Sequence, residues 1–555
     1  MAVNVLCIHT ASEWVRAELE YLRLCARSGL VGVESPLNLL SAGESLVRYG
    51  VLPALVRLAA ARYGDRTALV DELGTLSYRD LEDRSTRLAN EWRKRGLKPG
   101  EGVAILARNH RGLLDAVFAG AKCGARIILL NTDFAGPQLR DVAEREGVDL
   151  LVYDEEYEPI LGDLSPRRGA YRAWSDTRHT SSLESLIHAG SSAAPPITCA
   201  RARIVLLTSG TTGVPKGATR SDPWSLEPVG AILSKVPFRT REVTECAAPM
   251  FHTLGFAMSL LAIGFGSTLV IRRRFDPQQV LDSMAEHRAT TLVAVPVMLA
   301  RLVEPGPVAI SERDLSALRI VFVAGAQLGA GLCRRVTDAF GPVVYNCYGS
   351  TEVAYATIAT PSDLAEEPGC VGAPVVGAVV RVLDARGAEV PAGTTGRIFV
   401  RNAIPFDGYT GGGGKERIDG LISTGDLGHF DTAGRLFIDG RDDDMIVSGG
   451  ENVFPGEVEE LLAAHPGVRE VAVLGMPDDE FGARLVAFVV RADELGAEAP
   501  AGEAAELEGA LADELGAYVK ANLARYKVPR DIVFLDELPR NPTGKVLRRR
   551  LRELW

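Results

Sequence analysis

The sequence predicts an α/β protein in which a large N-terminal domain of parallel sheets covered by helices, with a small β-barrel, precedes a smaller α+β C-terminal domain. From Thr67 onward, apolar segments alternate with amphipathic helical segments, a pattern that indicates parallel strands covered on both faces. Residues 371–400 carry short strands separated by Gly and Pro turns, which is typical of a small barrel or sandwich. A polar segment at 440–444 then marks a break before an α+β pattern.

Length, charge and cysteine content restrict the class of protein. A chain of 555 residues is too long for one compact core, so two or more domains are expected. A net charge of −11 argues against nucleic acid as the main partner. The eight cysteines form no Cys-x-x-Cys pair, which favours free thiols in a reducing cytosol over disulfides or zinc. Because the start lacks signal-peptide features and no apolar run reaches roughly 20 residues, we expect a cytoplasmic protein.

Residues 1–64 form a lead with helical patterns in front of the first domain. Residues 12–50 are mostly helical in pattern, and Val51–Tyr63 has the pattern of a second amphipathic helix. Pro53 falls in its first turn, where proline is tolerated. Such helices can lie on a membrane surface, which makes peripheral membrane contact a hypothesis. We favour docking of both helices on the domain behind them.

The remaining elements follow from apolar runs and turn residues. Helices are predicted at Arg111–Lys122, Pro455–Ala464 and Leu511–Leu523. Strands are predicted at Gly102–Leu106, Ala125–Leu130, Asp149–Tyr153, Thr268–Ile271, Thr291–Val295, Leu318–Val323, Val343–Tyr345, Arg381–Leu383, Arg397–Val400, Val468–Leu474 and Leu485–Arg491. Residues 170–197 are polar and are predicted to be irregular, and residues 494–508 form a tract rich in Ala, Glu and Gly.

A loop rich in glycine and hydroxyl side chains follows the apolar residues 204–207. Its glycines tolerate positive φ and let a ligand approach the backbone, and Lys216 adds a mobile positive charge. Free N–H groups, hydroxyl donors and a lysine are the groups that bind a polyanion such as triphosphate. The loop is not a Walker A motif, because no Gly-Lys-Ser/Thr follows at the required offset. The alternative is a flexible surface loop between two strands.

Four further segments carry groups suited to a nucleotide. Residues 345–352 offer an aromatic face for a base, an amide for an exocyclic amine and a carboxylate for Mg²⁺. Asp426 on a glycine turn suits a ribose diol, and Arg441 supplies a donor fork for the same sugar. A turn at 541–545 presents Lys545. Each segment alone also has a purely structural explanation, but their order and spacing together favour a site.

Taken together, the segments resemble the signature motifs of the AMP-forming adenylating superfamily, which contains acyl-CoA synthetases, nonribosomal-peptide adenylation domains and beetle luciferases. The match runs from about Asp65 to the C terminus, and the run Thr208–Gly217 is present without a break. The resemblance implies that the C-terminal domain is mobile. It implies a helical lead at 1–64, an adenylate-forming domain at 65–440, a hinge at 441–443 that contains Asp443, and the mobile domain at 444–555.

The resemblance also implies which residues bind each substrate. The implied ATP- and AMP-binding set is Thr208, Ser209, Gly210, Thr211, Thr212, Gly213, Lys216, Gly325, Ala326, Asn346, Tyr348, Gly349, Thr351, Asp426, Arg441 and Lys545. The implied catalytic set is Thr208, Lys216, His252, Glu352 and Lys545, of which Thr208 and Glu352 would hold Mg²⁺. Gly449, Gly450 and Glu451 would lie beside the CoA tunnel. The acyl pocket would be walled by His252, Leu254, Gly255, Val297, Met298 and Ala326.

Individual roles follow from the same resemblance. Tyr348 would stack on adenine, and Asp426 with Arg441 would bind the ribose hydroxyls. Lys545 would bridge the carboxylate and the α-phosphate during adenylation, beside His252. Gln327 stands where many relatives have Pro, and Leu421-Ile422 where an aromatic residue is common; both departures concern fine geometry rather than charged catalytic groups.

The implied activity joins a carboxylic acid to AMP, with release of pyrophosphate from ATP, and then transfers the acyl group to CoA. ATP, Mg²⁺ and CoA as co-substrate are therefore expected. A medium- or long-chain fatty acid is favoured, an aryl or branched acid comes second, and transfer to an acyl-carrier protein third. The alternative from another class is a catalytically silent nucleotide or acyl sensor. A homodimer is a further hypothesis.

Overall fold

The computed structural model describes residues 11–31, 43–47, 49–176, 181–196, 200–208, 216–219, 225–404, 406–442, 446–448, 451–453, 455–478, 482–492, 501–523, 527–541 and 544–555. Helices in these ranges are α1 (Ala11–Ser28), α2 (Val51–Tyr63), α3 (Tyr78–Lys94), α4 (Arg111–Lys122), α5 (Gly136–Arg145), α6 (Glu158–Leu161), α7 (Leu183–Ala189), α8 (Glu227–Leu233), α9 (Thr253–Gly264), α10 (Pro277–Glu286), α11 (Pro296–Val303), α12 (Gly306–Ser311), α13 (Ala330–Phe340), α14 (Pro361–Glu366), α15 (Pro455–Ala463), α16 (Ala501–Asn522) and α17 (Arg548–Leu554).

Strands alternate with these helices through most of the large domain. They are β1 (Thr67–Asp71), β2 (Gly74–Ser77), β3 (Gly102–Leu106), β4 (Arg126–Leu129), β5 (Val148–Asp154), β6 (Ala170–Trp174), β7 (Arg203–Thr208), β8 (Lys216–Thr219), β9 (Val243–Cys246), β10 (Thr268–Ile271), β11 (Thr291–Ala294), β12 (Ile320–Val323), β13 (Val344–Tyr348), β14 (Thr357–Ala359), β15 (Ala373–Pro374), β16 (Val379–Leu383), β17 (Gly396–Arg401), β18 (Gly408–Tyr409), β19 (Arg417–Ile418), β20 (Leu421–Phe430), β21 (Leu436–Arg441), β22 (Ile446–Ser448), β23 (Glu451–Val453), β24 (Val468–Asp478), β25 (Gly482–Arg491) and β26 (Asp531–Phe534).

Two mostly parallel sheets build the large domain. Among the described residues, one sheet has the order β15-β14-β13-β12-β11-β9-β10-β1-β2, and its strands from β13 to β1 are parallel. The other has the order β18-β8-β7-β4-β3-β5-β6, and its strands from β7 to β6 are parallel. The predicted parallel α/β class is confirmed.

Strand β3 shows why the apolar runs become central strands. All five of its residues are buried, because helices or neighbouring segments cover both faces of the sheet. Successive side chains point to opposite faces, so Val103 and Ile105 join one hydrophobic cluster while Ala104 and Leu106 join another. The uninterrupted apolar sequence therefore serves two separate cores.

Local sequence also determines where helices begin. Ser77 accepts a hydrogen bond from the backbone N–H of Asp80, and the Asp80 carboxylate accepts one from the Ser77 N–H. This capping box satisfies two N–H groups that the first turn of α3 would otherwise leave unpaired. Helix α3 then buries Leu81, Leu88 and Trp92 in the same core as β3.

An antiparallel sheet follows the parallel ones and carries two of the predicted ribose-binding residues. In the described part of the chain, β16, β17, β20 and β19 join in that order, and β21 pairs with β20. The ladder between β17 and β20 shifts register close to Gly425, whose φ is 80°. A glycine in the left-handed region at a bulge bends a strand and re-aims its side chains.

This geometry corrects two predictions. No ladder among the described strands joins β16 to β19 or β21, so the predicted barrel is an open sheet. Asp426 lies within the long strand β20 beside the bulge and not on a turn between strands. The bulge is the reason, because it lets one strand pair with β17, β19 and β21 along its length.

The C-terminal domain has the predicted α+β composition. Strands β24, β25 and β26 form a sheet, with α15 and α16 contributing to the core on one side of it. Helix α16 begins at Ala501 and therefore includes part of the tract rich in Ala, Glu and Gly that precedes the predicted helix. Ala and Glu are strong helix formers, which explains why the helix starts ten residues before the predicted Leu511.

Residues 170–197 are also more regular than predicted. They contain β6 and α7, although the segment is polar. Strand β6 is an edge strand that pairs only with β5 among the described strands, so one polar face can remain towards solvent. The missing apolar pattern reflects this edge position.

The N-terminal lead docks on the large domain. Tyr21 of α1 is fully buried and lies where Gly230 of α8 has no side chain; a Cβ there would be 2.4 Å from the Tyr21 ring. Arg62 of α2 donates hydrogen bonds to the carbonyl groups of Gly29 and Leu30, which ties the two helices together. This is the docked arrangement that we favoured from the sequence.

The outer face of α1 remains apolar and exposed. Val15, Leu19 and Leu22 recur at helical spacing and lie on this face. No helix within the described ranges is both long and apolar enough to cross a membrane.

Candidate active site

The strands on either side of the glycine-rich loop are paired with each other. Strands β7 and β8 are antiparallel, and Thr208 lies directly opposite Lys216 in their ladder. The Lys216 ammonium lies over the Tyr409 ring, 5.5 Å from its centroid, at a distance suited to a cation–π contact. The side chain of Thr208 and the predicted residues Ser209, Gly210, Thr211, Thr212 and Gly213 lie outside the described residues.

Tyr348 at the end of β13, Asp426 within β20 and Arg441 at the end of β21 form one connected polar group. The Tyr348 hydroxyl donates to Asp426 Oδ2 at 2.6 Å, and Arg441 Nη1 lies 3.2 Å from Asp426 Oδ1. Asp426 and Arg441 are direct partners in the ladder of β20 and β21, which explains their contact. The sequence placed residues 345–352 after a strand, whereas Tyr348 is the last residue of β13 itself.

Burial dominates the electrostatics of this group. Burial raises the pKa of Asp426, and the positive charge of Arg441 and the Tyr348 hydrogen bond oppose that rise without cancelling it. Burial and the Asp426 carboxylate together raise the pKa of Tyr348 well above its ordinary value, so the phenol remains a donor. Because Asp426 already contacts the Arg441 guanidinium and the Tyr348 hydroxyl, its carboxylate has a fixed orientation. A carboxylate fixed in this way is suited to accept hydrogen bonds from the two hydroxyls of a diol.

Glu352 is a buried carboxylate with two donors. The Ser350 hydroxyl donates to Oε2 at 2.8 Å, and the Tyr409 hydroxyl donates to Oε1 at 2.7 Å. Burial raises the pKa of Glu352, but the hydrogen bonds from Tyr409 and Ser350 outweigh burial and hold the pKa below its ordinary value. The side chain is therefore anionic.

This arrangement fits the Mg²⁺ site that the sequence implied. In the described part of the chain, no group of three His, Cys, Asp or Glu side chains could hold a metal by itself. Mg²⁺ commonly binds one protein carboxylate together with substrate phosphates and waters, so a single anionic Glu352 is an adequate protein ligand. The ion would neutralise phosphate charge there.

Lys545 reaches this group from the C-terminal domain. Burial lowers the pKa of its ammonium and Arg441 lowers it further, while Asp426 and Glu352 oppose the decrease. Protein atoms surround the side chain, although it keeps an accessible surface because it points into an open cavity. The turn that carries it is closed by hydrogen bonds between Asn541 and Lys545, through the Asn541 side chain and both backbones.

His252 is the second basic group beside Lys545. Burial lowers its pKa to about 4, and the neighbouring Lys545 ammonium contributes to this decrease. The imidazole is therefore neutral near pH 7, and its Nε2 atom has no hydrogen-bond partner among the described residues. A buried polar atom without a partner, facing a cavity, is suited to a polar substrate atom.

One cavity connects all of these side chains. It has a volume of about 2770 Å³ and lies between the two domains. The predicted residues that line it are Lys216, His252, Leu254, Val297, Gly325, Ala326, Asn346, Tyr348, Gly349, Thr351, Glu352, Asp426, Arg441 and Lys545. Position 349 requires glycine because the backbone of Ala354 comes very close to it. A Cβ at Gly349 would lie 2.2 Å from the Ala354 carbonyl oxygen.

Two predicted pocket residues do not line this cavity. Gly255 faces the backbone beneath helix α9, where a Cβ would lie 2.4 Å from the Pro249 carbonyl oxygen. Met298 is buried in the hydrophobic cluster formed by α10, α11 and β11. Gly255 and Met298 therefore lie behind the residues that line the cavity. Tertiary packing determines which face of each helix meets the cavity, so proximity in sequence to a lining residue does not identify another one.

Several predictions fall where the structure gives no side-chain positions. Asp443, Gly449 and Gly450 lie outside the described residues. Glu451 belongs to β23, but its side chain is likewise not described.

The structure adds two residues that the sequence did not indicate. Tyr409 contacts both Glu352 and Lys216, and Lys415 acts electrostatically on Glu352 and Asp426. Tyr409 reaches the site because β18 pairs with β8 across a long sequence separation. No signal in the local sequence around Tyr409 indicates this contact, because it depends on that long-range strand pairing.

Residues 56–410 match the model of the AMP-binding enzyme family, and residues 457–545 match that of the AMP-binding enzyme C-terminal domain. The chain belongs to the AMP-binding enzyme family. Members of this family that resemble it include a feruloyl-CoA synthase from an Amycolatopsis species, which is 31% identical over 89% of this chain and 96% of that protein. A fatty acid–[acyl-carrier-protein] ligase, ScoC, from Streptomyces coeruleorubidus is 29% identical over 88% of this chain and 93% of that protein.

A solved structure agrees with this assignment. ATP-bound MatB from Rhodopseudomonas palustris is 30% identical, with a TM-score of 0.77 over 90% of this chain and 98% of that chain. As an AMP-binding enzyme, the chain is an acid–thiol ligase that uses ATP and CoA. The relatives act on different acids, so membership does not select among fatty and aryl acids.

Proposed function

We propose that this AMP-binding enzyme activates a medium- or long-chain fatty acid to acyl-AMP, with release of pyrophosphate, and transfers the acyl group to CoA. The position of Lys545 carries the proposal: it lines the same cavity as Glu352 and Asp426 of the large domain and Arg441 at the boundary between the domains. A lysine brought to a nucleotide site by a separate domain is suited to a charge that develops only during reaction.

In the first step, one oxygen of the carboxylate bonds to the α-phosphorus, and the bond from that phosphorus to the pyrophosphate oxygen breaks. Pyrophosphate leaves with the electron pair. Two anions must approach, so Lys545 and Lys216 offset negative charge while Asp426 and Arg441 hold the ribose. Neutral His252 donates or accepts one hydrogen bond beside the carboxylate without adding charge.

In the second step, the CoA sulfur bonds to the acyl carbon and the bond from that carbon to AMP breaks. The thiol proton passes to solvent and AMP leaves. Lys545 has no part in this step, so we propose that the C-terminal domain turns about residues 441–443 and withdraws it. Gly449, Gly450 and Glu451 would then lie beside the pantetheine arm.

The apolar character of helix α9 supports an alkyl substrate. The helix carries no charged residue from Thr253 to Gly264, and Leu254 and Met258 line the cavity next to His252. A ligand pocket of this kind binds by apolar contact, with a few polar groups fixing the reactive end. Here the polar end is His252 and Lys545.

The decisive experiment supplies ATP, Mg²⁺ and a panel of fatty, aryl and branched acids. We expect pyrophosphate release and a hydroxylamine-trapped acyl product with saturated fatty acids, and a thioester when CoA is added. Preferential use of an aryl acid would contradict the fatty-acid proposal. A thioester formed only on an acyl-carrier protein would contradict CoA as acceptor. If no acid in the panel leads to pyrophosphate release, the enzymatic proposal is overturned in favour of a nucleotide or acyl sensor.

Peripheral membrane contact and dimerisation are two further proposals. The exposed face of α1, with Val15, Leu19 and Leu22, supports the first. Sedimentation of the protein with lipid vesicles and its mass in solution test the two separately.

A further inference from the structure

The cavity has an apolar arm that continues past the adenylate site. Its lining includes residues of α9, of α8 and of the N-terminal lead. Side chains that line this arm are Leu52, Leu55, Val229, Ile232, Leu260 and Leu261. None of the described residues that α2, α8 and α9 contribute to the cavity wall carries a charge.

We propose that the N-terminal lead forms the far end of the acyl site, so that Leu30, Leu52 and Leu55 contact the end of an extended alkyl chain and limit its length. This inference rests on the proposed function, which supplies the carboxylate end at Lys545 and His252. It assigns a substrate-binding role to Leu30, Leu52 and Leu55.

The exposure of these side chains supports an apolar ligand. Leu30, Leu52 and Leu55 are each only partly buried, although they pack against the largest hydrophobic cluster of the domain. Their remaining apolar surface faces the cavity, so an alkyl chain that covers it removes that surface from water. A short or compact acid held at His252 would leave these leucines uncovered.

The lead is held firmly enough to act as a wall. Arg62 binds the carbonyl groups of Gly29 and Leu30, and the Ser28 carbonyl accepts from the Thr240 N–H at 3.0 Å. Leu55 reaches α9 at Gly264, where an added Cβ would lie 3.0 Å from Leu55 Cδ1. These contacts tie the lead to α2 and to the large domain on either side of the arm.

This wall lies outside the part of the chain that the family model matches. The AMP-binding enzyme model matches from residue 56, so Leu30, Leu52 and Leu55 all precede the matched region. Lys216, His252 and Glu352, in contrast, lie inside it, Lys545 lies in the C-terminal match, and Asp426 and Arg441 lie between the two matches. Selection for chain length can therefore differ from that of relatives while the chemistry is unchanged.

The test compares Leu52→Trp with the matched control Leu58→Trp. Leu58 belongs to the same helix and is half-buried, but it does not line the cavity. Pyrophosphate release is measured with hexanoate, dodecanoate and hexadecanoate for the native protein and both variants. We expect Leu52→Trp to lower kcat/KM for hexadecanoate at least roughly tenfold while hexanoate is unaffected, because a filled pocket rejects extra methylenes.

The outcomes separate this inference from the proposed function. If no acid releases pyrophosphate with the native protein, the proposed function fails. If fatty acids react but Leu52→Trp and Leu58→Trp share the native chain-length profile, the lead is not the wall and the inference is overturned. If Leu52→Trp loses activity with every acid, the Leu55→Ala variant provides the test instead. This substitution enlarges the arm and should shift the substrate preference towards longer acids. An unshifted chain-length profile for Leu55→Ala overturns the inference.

Discussion

Each charged side chain of the adenylate site has neighbours that set its protonation state. Tyr409 and Ser350 hold Glu352 as an anion, whereas burial keeps His252 neutral beside the Lys545 ammonium. The site therefore places an anion where a metal–phosphate group is expected and a neutral donor where a carboxylate is expected. These differences arise from burial and hydrogen bonding, since isolated His and Glu side chains would titrate closer to their ordinary values.

The lowered pKa of His252 predicts a specific effect of pH on stability. The pKa is about 4 in the folded protein and 6.5 ordinarily, so the unfolded chain binds more protons between these values. The contribution of His252 to stability is present above pH 6.5 and is lost as pH falls towards 4. We expect the native protein to lose more stability than His252→Gln over this window, measured by denaturant midpoints at a series of pH values.

Two variants check this interpretation. Lys545→Ala removes one cause of the decrease, so the pKa of His252 should rise and the pH-dependent difference should shrink. His188→Gln changes an exposed histidine and should leave the difference unaltered. A difference between the native protein and His252→Gln that is constant with pH would contradict the assignment.

The turn at residues 541–545 shows how a single element delivers a catalytic group. Gly544 has a φ of 76° and packs directly on Val297, because a Cβ at Gly544 would lie 2.1 Å from Val297 Cγ1. No larger residue fits this turn without moving it. The cavity wall and the Lys545 turn are therefore in direct contact.

We predict that Gly544→Ala displaces Lys545 and lowers the rate of acyl-AMP formation by about 100-fold, since a small misplacement of a catalytic group can have that effect. Thioester formation from supplied acyl-AMP should be unchanged. Gly516→Ala is the matched control, because an added Cβ there meets no atom within 4 Å. Equal loss in both half-reactions would indicate a folding defect and contradict the positioning role.

At the scale of the whole molecule, two domains share one site. Glu352 and Asp426 come from the large domain, Arg441 lies at the boundary between the domains, and Lys545 comes from the C-terminal domain. The relative position of Lys545 and these three residues is therefore suited to adenylation. Transfer to CoA requires other groups at the same acyl carbon, which is the physical reason to propose domain rotation.

This proposal predicts opposite defects for two substitutions. Lys545→Ala should abolish acyl-AMP formation while sparing thioester formation from supplied acyl-AMP. Asp443→Pro should do the reverse, because proline restricts the backbone at the proposed hinge. The two half-reactions are measured separately, by pyrophosphate release and by thioester yield. Lys520→Ala, on the exposed face of α16, and Asp443→Ala are the controls. If both variants lose both half-reactions equally, rotation about this hinge is excluded.

Much of the fold and of the site followed from local sequence. Arg111–Lys122 and Val51–Tyr63 have the helix boundaries that periodicity predicted, since the apolar face of each helix is visible in its own residues. The irregular structure predicted for residues 170–197 was wrong, since the edge pairing of β6 with β5 is not visible in a short window of sequence. The predicted start of α16 was ten residues too late, because the helix propensity of the Ala- and Glu-rich tract was not taken into account. Gly255 and Met298 illustrate the same limit for the pocket: they neighbour wall residues in sequence but face away from the cavity.

The sequence by itself determined the class of chemistry, because the residue types and order of the Thr208–Gly217 loop, the 345–352 segment, Asp426, Arg441 and Lys545 are sufficient to indicate adenylation. Only the tertiary structure decided the protonation states of these groups and the residues that surround them. Tyr409 beside Glu352, the neutral state of His252 and the leucines of the N-terminal lead along the cavity all depend on contacts between distant segments. Burial and packing create those properties, and neither exists until the chain has folded.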